Sequence, residues 1–345
     1  MINEALNILF IAYDRNLSVG SYRIWVNDYC YYFNAIGVKA KIFSGNPEEI
    51  KNADVIILSK GPKQNLINDF NYIRSNYPDK LIGTITPPRD LTNVEFDFVM
   101  AGSMEEADSL SFHKNVIVNA HIEQLFYGYS RKIHTKKDVL KIVYHGWTAH
   151  LASFSPNLKT ALEEFEKECD IELVIISESE NAVWRRNSLP NIKNISYQKW
   201  NIKTIRENIM EGDIGIIPGI HDLTHLVQNG SEPTDPSSGL FHTDYVFRFK
   251  NKSNNGRSLA FFQLGIPVVG DFTPSHLHIL GDGDCGFLAH SKAGWLRSFR
   301  ILKDESKRNK ISQKAYDKVN REYNPLLWAE KYYSQILEIY NKRSL

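Results

Sequence analysis

The sequence predicts an α/β protein made of two domains, each with a parallel sheet covered by helices. Short apolar runs alternate with helix-length segments, which is the spacing of parallel strands joined by helical crossovers. The alternation stops at a basic segment, residues 128–141, and then begins again. A chain of 345 residues is also long enough for two domains of typical size. We therefore expect an N-terminal domain over 1–127, a linker over 128–141, a C-terminal domain over 142–323, and a final helix within 324–345.

Composition excludes several classes of protein. Lys and Arg number 41 against 40 Asp and Glu, so no overall field attracts nucleic acid or an anionic membrane, and an anion site must be local. Cys30, Cys169 and Cys285 are far apart and belong to no CxxC or His/Cys cluster, which argues against disulfides and zinc. No apolar run approaches the roughly 18 residues of a membrane span, and no basic segment precedes the first apolar run. We expect a soluble, cytoplasmic protein with at most peripheral contact at the inner face of the membrane.

The first domain opens with a strand, a glycine-containing loop and a helix. Residues 7–13 form a compact apolar run, the polar turn that follows contains Gly20 and Ser21, and an aromatic helix is predicted over 22–36. This is the opening of a Rossmann-like unit. The other predicted elements of this domain are strands at 41–44, 54–59, 81–86, 98–101 and 116–118 and a helix at 65–76.

The second domain repeats the pattern. A strand at 142–146 ends in Gly146, and a later strand at 213–219 ends in Pro218 and Gly219. The predicted elements between them are a helix at 158–168, a strand at 171–177 and a helix at 202–210. The long loop that follows, residues 221–246, would lie at the carboxyl edge of the sheet, where α/β proteins bind ligands. The last predicted helix, 326–340, is amphipathic and is expected to be packed.

A basic turn precedes the apolar helix at 258–264. It contains four cations, and its small polar residues lie where the helix begins. A helix start with free backbone N–H groups and nearby cations suits a phosphate group. A solvated basic loop is the alternative interpretation. The candidate phosphate-binding residues of this turn are Arg248, Lys250, Ser253, Asn254, Gly256 and Arg257, with Lys252 as the fourth cation.

The segment Gly265-Ile266-Pro267-Val268-Val269, reached at the end of this helix, carries a family resemblance. The chain resembles the GT-B glycosyltransferases of bacterial surface-polysaccharide pathways, the large retaining group 1 family. Residues 116–126 resemble the passage that closes the first domain of these enzymes, and residues 142–146 resemble the first strand and glycine turn of their donor-binding domain. Asn324-Pro325 and the last helix resemble the segment that crosses back to the first domain. The order of these passages also agrees with the family.

The resemblance implies two Rossmann-like domains that face a central cleft and a sugar transfer from a nucleotide-sugar donor. The implied acceptor is a saccharide or a lipid-linked glycan, with no nucleic-acid partner and no cofactor beyond the donor substrate. The family's two donor-site glutamates fall on Lys252 and Ala260, and the cations expected after the first strand are replaced by Trp147-Thr148-Ala149-His150. No Asp-x-Asp motif is placed at a predicted strand end, so a metal-independent enzyme is expected. Cations of the basic turn would then stabilise the diphosphate.

Candidate catalytic residues lie at the ends of the predicted strands. His145 ends a strand beside Gly146 and is the favoured histidine, and Pro218 is expected to line the same donor site. Gly20, Ser21 and Arg23 form a second expected anchor in the first domain. An inverting enzyme would need a base, for which Asp14, Asp90 and Glu123 are the options, whereas a retaining enzyme needs no dedicated base. The alternatives to a transferase are a nucleotide-sugar epimerase with the same two-domain layout and a non-catalytic two-domain sugar-binding protein.

Overall fold

The structure, a computed structural model, describes residues 5–88, 91–179, 188–219 and 256–343 and confirms the α/β class. Two sheets of six parallel strands are present within these ranges. The contacts between residues divide the chain into two compact units. The first unit contains Met1–Gln124 together with Tyr323–Leu345, and the second contains Leu125–Glu322.

The sheet of the first unit has the strand order β2-β1-β3-β4-β5-β6. Its strands are β1 (Asn7–Ile11), β2 (Lys39–Ile42), β3 (Val55–Leu58), β4 (Leu81–Ile85), β5 (Phe98–Ala101) and β6 (Val116–Val118). Ile8 pairs with Ala40 on one side and with Val55 on the other, so the order of the strands reverses at β1. Strand β2 lies two residues before its predicted position. Lys39 and Lys41 are exposed on this edge strand. These charged residues interrupt the apolar run by which a strand is recognised in the sequence.

The helix after β1 differs from the single α-helix predicted over 22–36. It runs as α1 (Gly20–Tyr22), a π-helical segment (Arg23–Asp28) and α2 (Tyr29–Ala35). The π-helical segment places Arg23, Trp25 and Asp28 against the segment after β6. π-Helical turns inside α-helices are often found at functional sites. The other helices described before β6 are α3 (Pro47–Asn52), α4 (Lys63–Asn76) and α5 (Met104–Ser109).

The sheet of the second unit has the strand order β12-β11-β10-β7-β8-β9. Its strands are β7 (Leu140–His145), β8 (Ile171–Ser177), β9 (Ile195–Lys199), β10 (Ile214–Ile217), β11 (Val268–Asp271) and β12 (Gly286–Ala289). Its described helices are α6 (Asn157–Phe165), α7 (Ile205–Met210), α8 (Gly256–Leu264), α9 (Pro274–Leu280), α10 (Lys292–Leu302) and α11 (Glu305–Glu322), with a 3-10 segment at Thr148–Phe154. Strands β7 and β10 are neighbours at the centre of the sheet. Strands β8 and β9 follow outward from β7, and β11 and β12 follow outward from β10, so the strand order reverses between β7 and β10.

Part of the basic segment before β7 is bound to the second unit. The Lys132 ammonium donates to the Gly212 carbonyl at 2.6 Å and lies 3.5 Å from the Asp213 carboxylate. His134 Nε2 lies 2.9 Å from the Gly265 carbonyl oxygen. The buried Arg308 guanidinium of α11 donates to the Thr135 carbonyl at 2.8 Å. These cations and carbonyls fix the segment against the amino ends of β10 and its neighbours.

The C-terminal helix α12 (Pro325–Arg343) is packed, as its amphipathic pattern predicts, and Ala329, Tyr332 and Ile336 lie in a hydrophobic core of the first unit. The Tyr332 hydroxyl donates to Asn119 Oδ1 at 2.8 Å and accepts from the Ala120 N–H at 2.7 Å. The Tyr29 hydroxyl donates to the same Asn119 oxygen at 2.7 Å. A buried polar network therefore connects α12, α2 and the segment after β6. Among the described residues, no helix combines the length and the apolar character needed to cross a bilayer.

Candidate functional site

The carboxyl edge of the second sheet, between β7 and β10, is the candidate site. In open α/β sheets, ligands bind at the carboxyl ends of the strands where the strand order reverses. The register of β10 with β7 brings Pro218 and Gly219 to the same edge as Gly146. The first residues of α8, Gly256 and Arg257, also reach this edge, so the structure brings these four predicted site residues and Gly219 together.

Gly146 and Arg257 are in close contact at this edge. Gly146 has φ +151°, and a Cβ atom there would lie 2.9 Å from Tyr144 Oη and 3.3 Å from Arg257 Nη1. The Arg257 guanidinium carbon lies 5.7 Å from the centre of the Tyr144 ring. Glycine is therefore required at position 146 both by its backbone conformation and by the space that the guanidinium takes.

The Arg257 guanidinium has an uncommitted donor. Its Nη1 atom is buried and has no hydrogen-bond partner in the part of the chain that the structure describes. Burial lowers the pKa of Arg257, while Tyr144 and Asp271 act in the opposite direction, and a guanidinium remains cationic in proteins. A buried, unsatisfied N–H costs free energy unless a ligand or water accepts it. An anionic ligand that reaches Nη1 would supply that acceptor.

Two carboxylates fix the loops that surround Arg257. Both Glu178 oxygens accept from the Thr148 N–H, at 3.1 and 3.0 Å, at the start of the 3-10 segment after β7. Asp271 Oδ2 accepts from the Gly219 N–H at 2.6 Å, which fixes the loop after β10. The Thr148 and Gly219 N–H groups are therefore used within the protein, whereas Arg257 Nη1 is not.

A buried histidine of α9 supports the same edge at the end of β11. His276 Nδ1 lies 2.8 Å from the Asp271 carbonyl oxygen. Burial lowers the pKa of His276 to about 4, and the nearby Arg257 charge acts in the same direction. His276 is therefore neutral at physiological pH and adds no charge to the site.

His145, the favoured catalytic histidine, is the last residue of β7 and is buried. Its ring meets the Phe261 ring edge-on at a centroid distance of 4.9 Å and lies 6.4 Å from the Phe126 ring. The imidazole thus contacts α8, the helix that carries Arg257. A catalytic role for His145 stays a prediction.

The predicted anchor of the first unit forms a buried ion pair. Gly20 and Ser21 begin α1, and Arg23 follows in the π-helical segment. The Arg23 guanidinium donates to Glu123 Oε2 from Nη2 at 2.8 Å and to the Leu17 carbonyl from Nη1 at 2.8 Å. Arg23 and Glu123 are therefore brought together, and their contacts fix the loop before α1.

Asp14 has a different environment. It is exposed, and its Oδ1 accepts from the Asn16 N–H at 2.8 Å. Of the two base candidates that the structure describes, Asp14 is the one that solvent reaches, since Glu123 is buried. Their catalytic roles stay predictions.

Two buried residues of the first unit, Asp28 and His121, have unusual environments, and the sequence did not single out Asp28 as a functional candidate. Asp28 is 4% exposed, and burial raises its pKa to about 6. His121 has φ 51°, in the left-handed region, and its ring lies perpendicular to Trp25 at 4.4 Å. Burial lowers the pKa of His121 to about 3. A carboxylate inside the apolar run Ile24-Trp25-Val26 to Tyr29 breaks the helical pattern and could have revealed Asp28.

Several predicted residues lie outside the described ranges, and their roles stay predictions. They are Asp90, Arg248, Lys250, Lys252, Ser253 and Asn254. Within the described ranges, no group of three or more His, Cys, Asp or Glu side chains is placed to share a metal ion. Asp282 and Asp284, which precede β12, pair with Arg297 and Lys314 at 3.1 and 2.8 Å.

Comparisons with known proteins identify the fold. No family model and no curated protein sequence matches the chain. HepE from Anabaena, solved with UDP and glucose, matches with a TM-score of 0.60 and 11% identity over 96% of this chain and 100% of HepE. Sucrose-phosphate synthase from Thermosynechococcus elongatus matches with a TM-score of 0.63 and 10% identity over 96% and 99%. TarM matches with a TM-score of 0.58 and 10% identity, and the match covers 83% of this chain but 54% of TarM, so the chain spans about half of that protein. These proteins are GT-B glycosyltransferases, and the expected GT-B fold is confirmed.

Proposed function

We propose that the protein is a glycosyltransferase that moves a sugar from a nucleotide-sugar donor to a saccharide or lipid-linked acceptor in surface-glycan biosynthesis. The observation that carries the proposal is the buried, unpartnered Nη1 of Arg257 beside Gly146, at the switch point of the second sheet. The HepE structure with UDP and glucose supports it, because the same fold there holds both halves of a nucleotide-sugar donor. Function does not follow from fold alone, so the site carries the argument.

The chemistry needs a positive group at the leaving phosphate. As the bond between sugar and phosphate breaks, negative charge grows on the leaving oxygen, and a preorganised cation stabilises that charge more than it stabilises the bound donor. Gly146 lets the Arg257 guanidinium lie close to the turn after β7, because a Cβ atom at position 146 would be 3.3 Å from Nη1. The guanidinium fork forms two directed hydrogen bonds with phosphate oxygens.

The proposed reaction is independent of a metal ion. Arg257 and the predicted cations Arg248 and Lys250 supply the positive charge, and the amides at the start of α8, near Asn254 and Gly256, add N-terminal donors. Ser253 contributes a hydroxyl donor. The loops after β7 and β10 need little rearrangement, because Glu178 and Asp271 already hold their amides.

The acceptor is assigned to the first unit. The Arg23–Glu123 pair fixes the loop that leads into Gly20 and Ser21, at the carboxyl end of β1. This edge is also a strand-order switch point, the usual place for a ligand in an open α/β sheet. If the reaction inverts the sugar configuration, Asp14 is the solvent-accessible candidate for the base that deprotonates the acceptor hydroxyl.

The test is nucleotide release by the purified protein with UDP-, GDP-, dTDP-, ADP- and CMP-sugars, with and without acceptor saccharides. Arg257→Ala should lower kcat/KM by roughly 10²–10³-fold, the usual cost of removing a transition-state donor, and Arg257→Lys should recover part of it. Arg297→Ala, which removes an exposed arginine from α10, is the matched control and should leave turnover unchanged. Full turnover by a folded Arg257→Ala variant would exclude the proposed role.

The same assay separates the alternatives. Acceptor-dependent nucleotide release supports transfer. Conversion of the donor without an acceptor would indicate an epimerase. Stabilisation by a free sugar with no effect of any nucleotide would indicate a binding protein.

A further inference from the structure

The candidate donor site carries exposed aromatic side chains. Trp147 directly follows Gly146 and is 55% exposed, and Phe272 directly follows β11 and is 49% exposed. Their strands, β7 and β11, lie on either side of β10, so both rings belong to the edge that holds Arg257. A large exposed aromatic surface beside a buried cation is unusual in a solvated loop and typical of a site that receives a ligand.

The Trp147 backbone is fixed on both sides of the indole. The Trp147 carbonyl accepts from the Tyr144 hydroxyl at 2.8 Å. The preceding Gly146 N–H donates to the Ile176 carbonyl at 3.0 Å, and the following Thr148 N–H donates to Glu178. The indole meets the His150 ring edge-on at 5.8 Å. The ring is therefore held in an exposed position before any ligand binds, which lowers the entropy cost of binding.

The covalent order of a nucleotide sugar decides which part of the donor reaches this indole. A Cβ atom at Gly146 would lie 3.3 Å from Arg257 Nη1, so the guanidinium is close to the turn that carries Trp147, and a phosphate bound by Nη1 would lie near that residue. The donor sugar is bonded directly to the terminal phosphate, whereas the base is separated from the phosphates by the ribose. The proposed function places the phosphate bonded to the sugar beside Arg257, and the ring attached to that phosphate is the donor sugar.

We propose that Trp147 is a specificity-determining residue whose indole stacks against the pyranose ring of the donor. This inference rests on the proposed function. The C–H bonds on one face of a pyranose carry small positive partial charges, which are attracted to the negative face of an indole. An aromatic surface at this position recognises the sugar and contributes little to binding the phosphates.

The experiment compares a nucleotide sugar with its own free nucleotide. Calorimetric affinities for UDP-glucose and UDP, or for another pair from the panel if the wild type prefers it, are measured for Trp147→Ala and Trp147→Phe. Trp147→Ala should lower the affinity for the nucleotide sugar by roughly tenfold and change the affinity for the free nucleotide by less than about twofold. Trp147→Phe should retain most of the affinity for both. Tyr197→Ala, which removes a partly exposed ring from β9 of the same unit, is the control and should change neither affinity.

Fluorescence provides a second readout. The nucleotide sugar should change the tryptophan emission of the wild type, and this change should be lost in Trp147→Phe although the ligand still binds. If Trp147→Ala lowers the affinities for the nucleotide sugar and the free nucleotide equally, the indole contacts the nucleotide instead. If it lowers neither affinity, the indole contacts neither part of the donor. Both results overturn the inference and leave the proposed function intact. A wild type that binds no nucleotide and no nucleotide sugar would overturn both.

Discussion

Replacing Asp28 by asparagine should stabilise the protein, and by more at high pH than at low pH. Asp28 lies in the π-helical segment, accepts from the Gln124 N–H at 3.1 Å and from Asn27 Nδ2 at 3.3 Å, and is buried. Burial raises its pKa from 3.8 to about 6, and the neighbouring Glu123 carboxylate acts in the same direction, whereas the two hydrogen bonds and the Arg23 charge act against it.

The sign follows from proton linkage. Between pH 3.8 and pH 6 the unfolded chain has lost the Asp28 proton while the folded protein keeps it. The folded state therefore binds more protons, and its stability falls as the pH rises through this window. The pKa difference is about two pH units, each worth roughly 1.4 kcal/mol, so ionised Asp28 costs about 3 kcal/mol above pH 6.

Asparagine keeps a carbonyl acceptor for the Gln124 N–H but carries no charge. Asp28→Asn should therefore raise the free energy of unfolding by about 1 kcal/mol at pH 4.5 and by about 3 kcal/mol at pH 8. Urea unfolding followed by fluorescence and circular dichroism at the two pH values measures the difference of about 2 kcal/mol. Asp108→Asn, at an exposed position of α5 in the same unit, is the charge-matched control. An equal effect of Asp28→Asn at both pH values, or a destabilisation, would refute the reasoning.

Two further predictions concern packing. Tyr332→Phe removes the acceptor of the buried Ala120 N–H and should lower the free energy of unfolding by about 1–3 kcal/mol, which urea unfolding measures; a neutral result would show that water replaces the hydroxyl. Gly265→Ala places a side chain at φ +73° and 2.2 Å from Arg131 Cγ, so it should lower the melting temperature by several degrees, and an unchanged melting temperature would contradict the contact.

The strands could be predicted because they are parallel and buried. Such strands are continuous apolar runs, and three of them, β5, β6 and β8, have the bounds that the sequence predicts. The predicted position of the edge strand β2 was two residues too late because Lys39 and Lys41 interrupt its apolar pattern. The π-helical segment could not be predicted, since five of its six residues are buried, polar ones included, and no apolar spacing marks a wider helical turn.

The sequence predicted which residues of the candidate site lie at one edge of the sheet, but not the contacts between them. A glycine at a strand end and an arginine at a helix start predict the edge where Gly146 and Arg257 lie. Their 3.3 Å approach depends on tertiary packing, which local spacing does not encode. The left-handed conformation of His121 is likewise imposed by its surroundings, because histidine itself gives no reason to expect it.

The comparison with distant structures explains why the family's donor motif can be absent while the fold persists. At 10 to 11% identity to HepE and sucrose-phosphate synthase, the common features are apolar strands and their order, which depend on burial and not on particular side chains. Donor recognition instead depends on a few groups at the strand ends, and a cation can reach the same space from another element. Here Arg257 of α8 lies beside Gly146 in the turn after β7, and the next residue, Trp147, is exposed. Under the proposed function, the positive charge at this turn therefore comes from α8, and the exposed indole of Trp147 is available to contact the sugar.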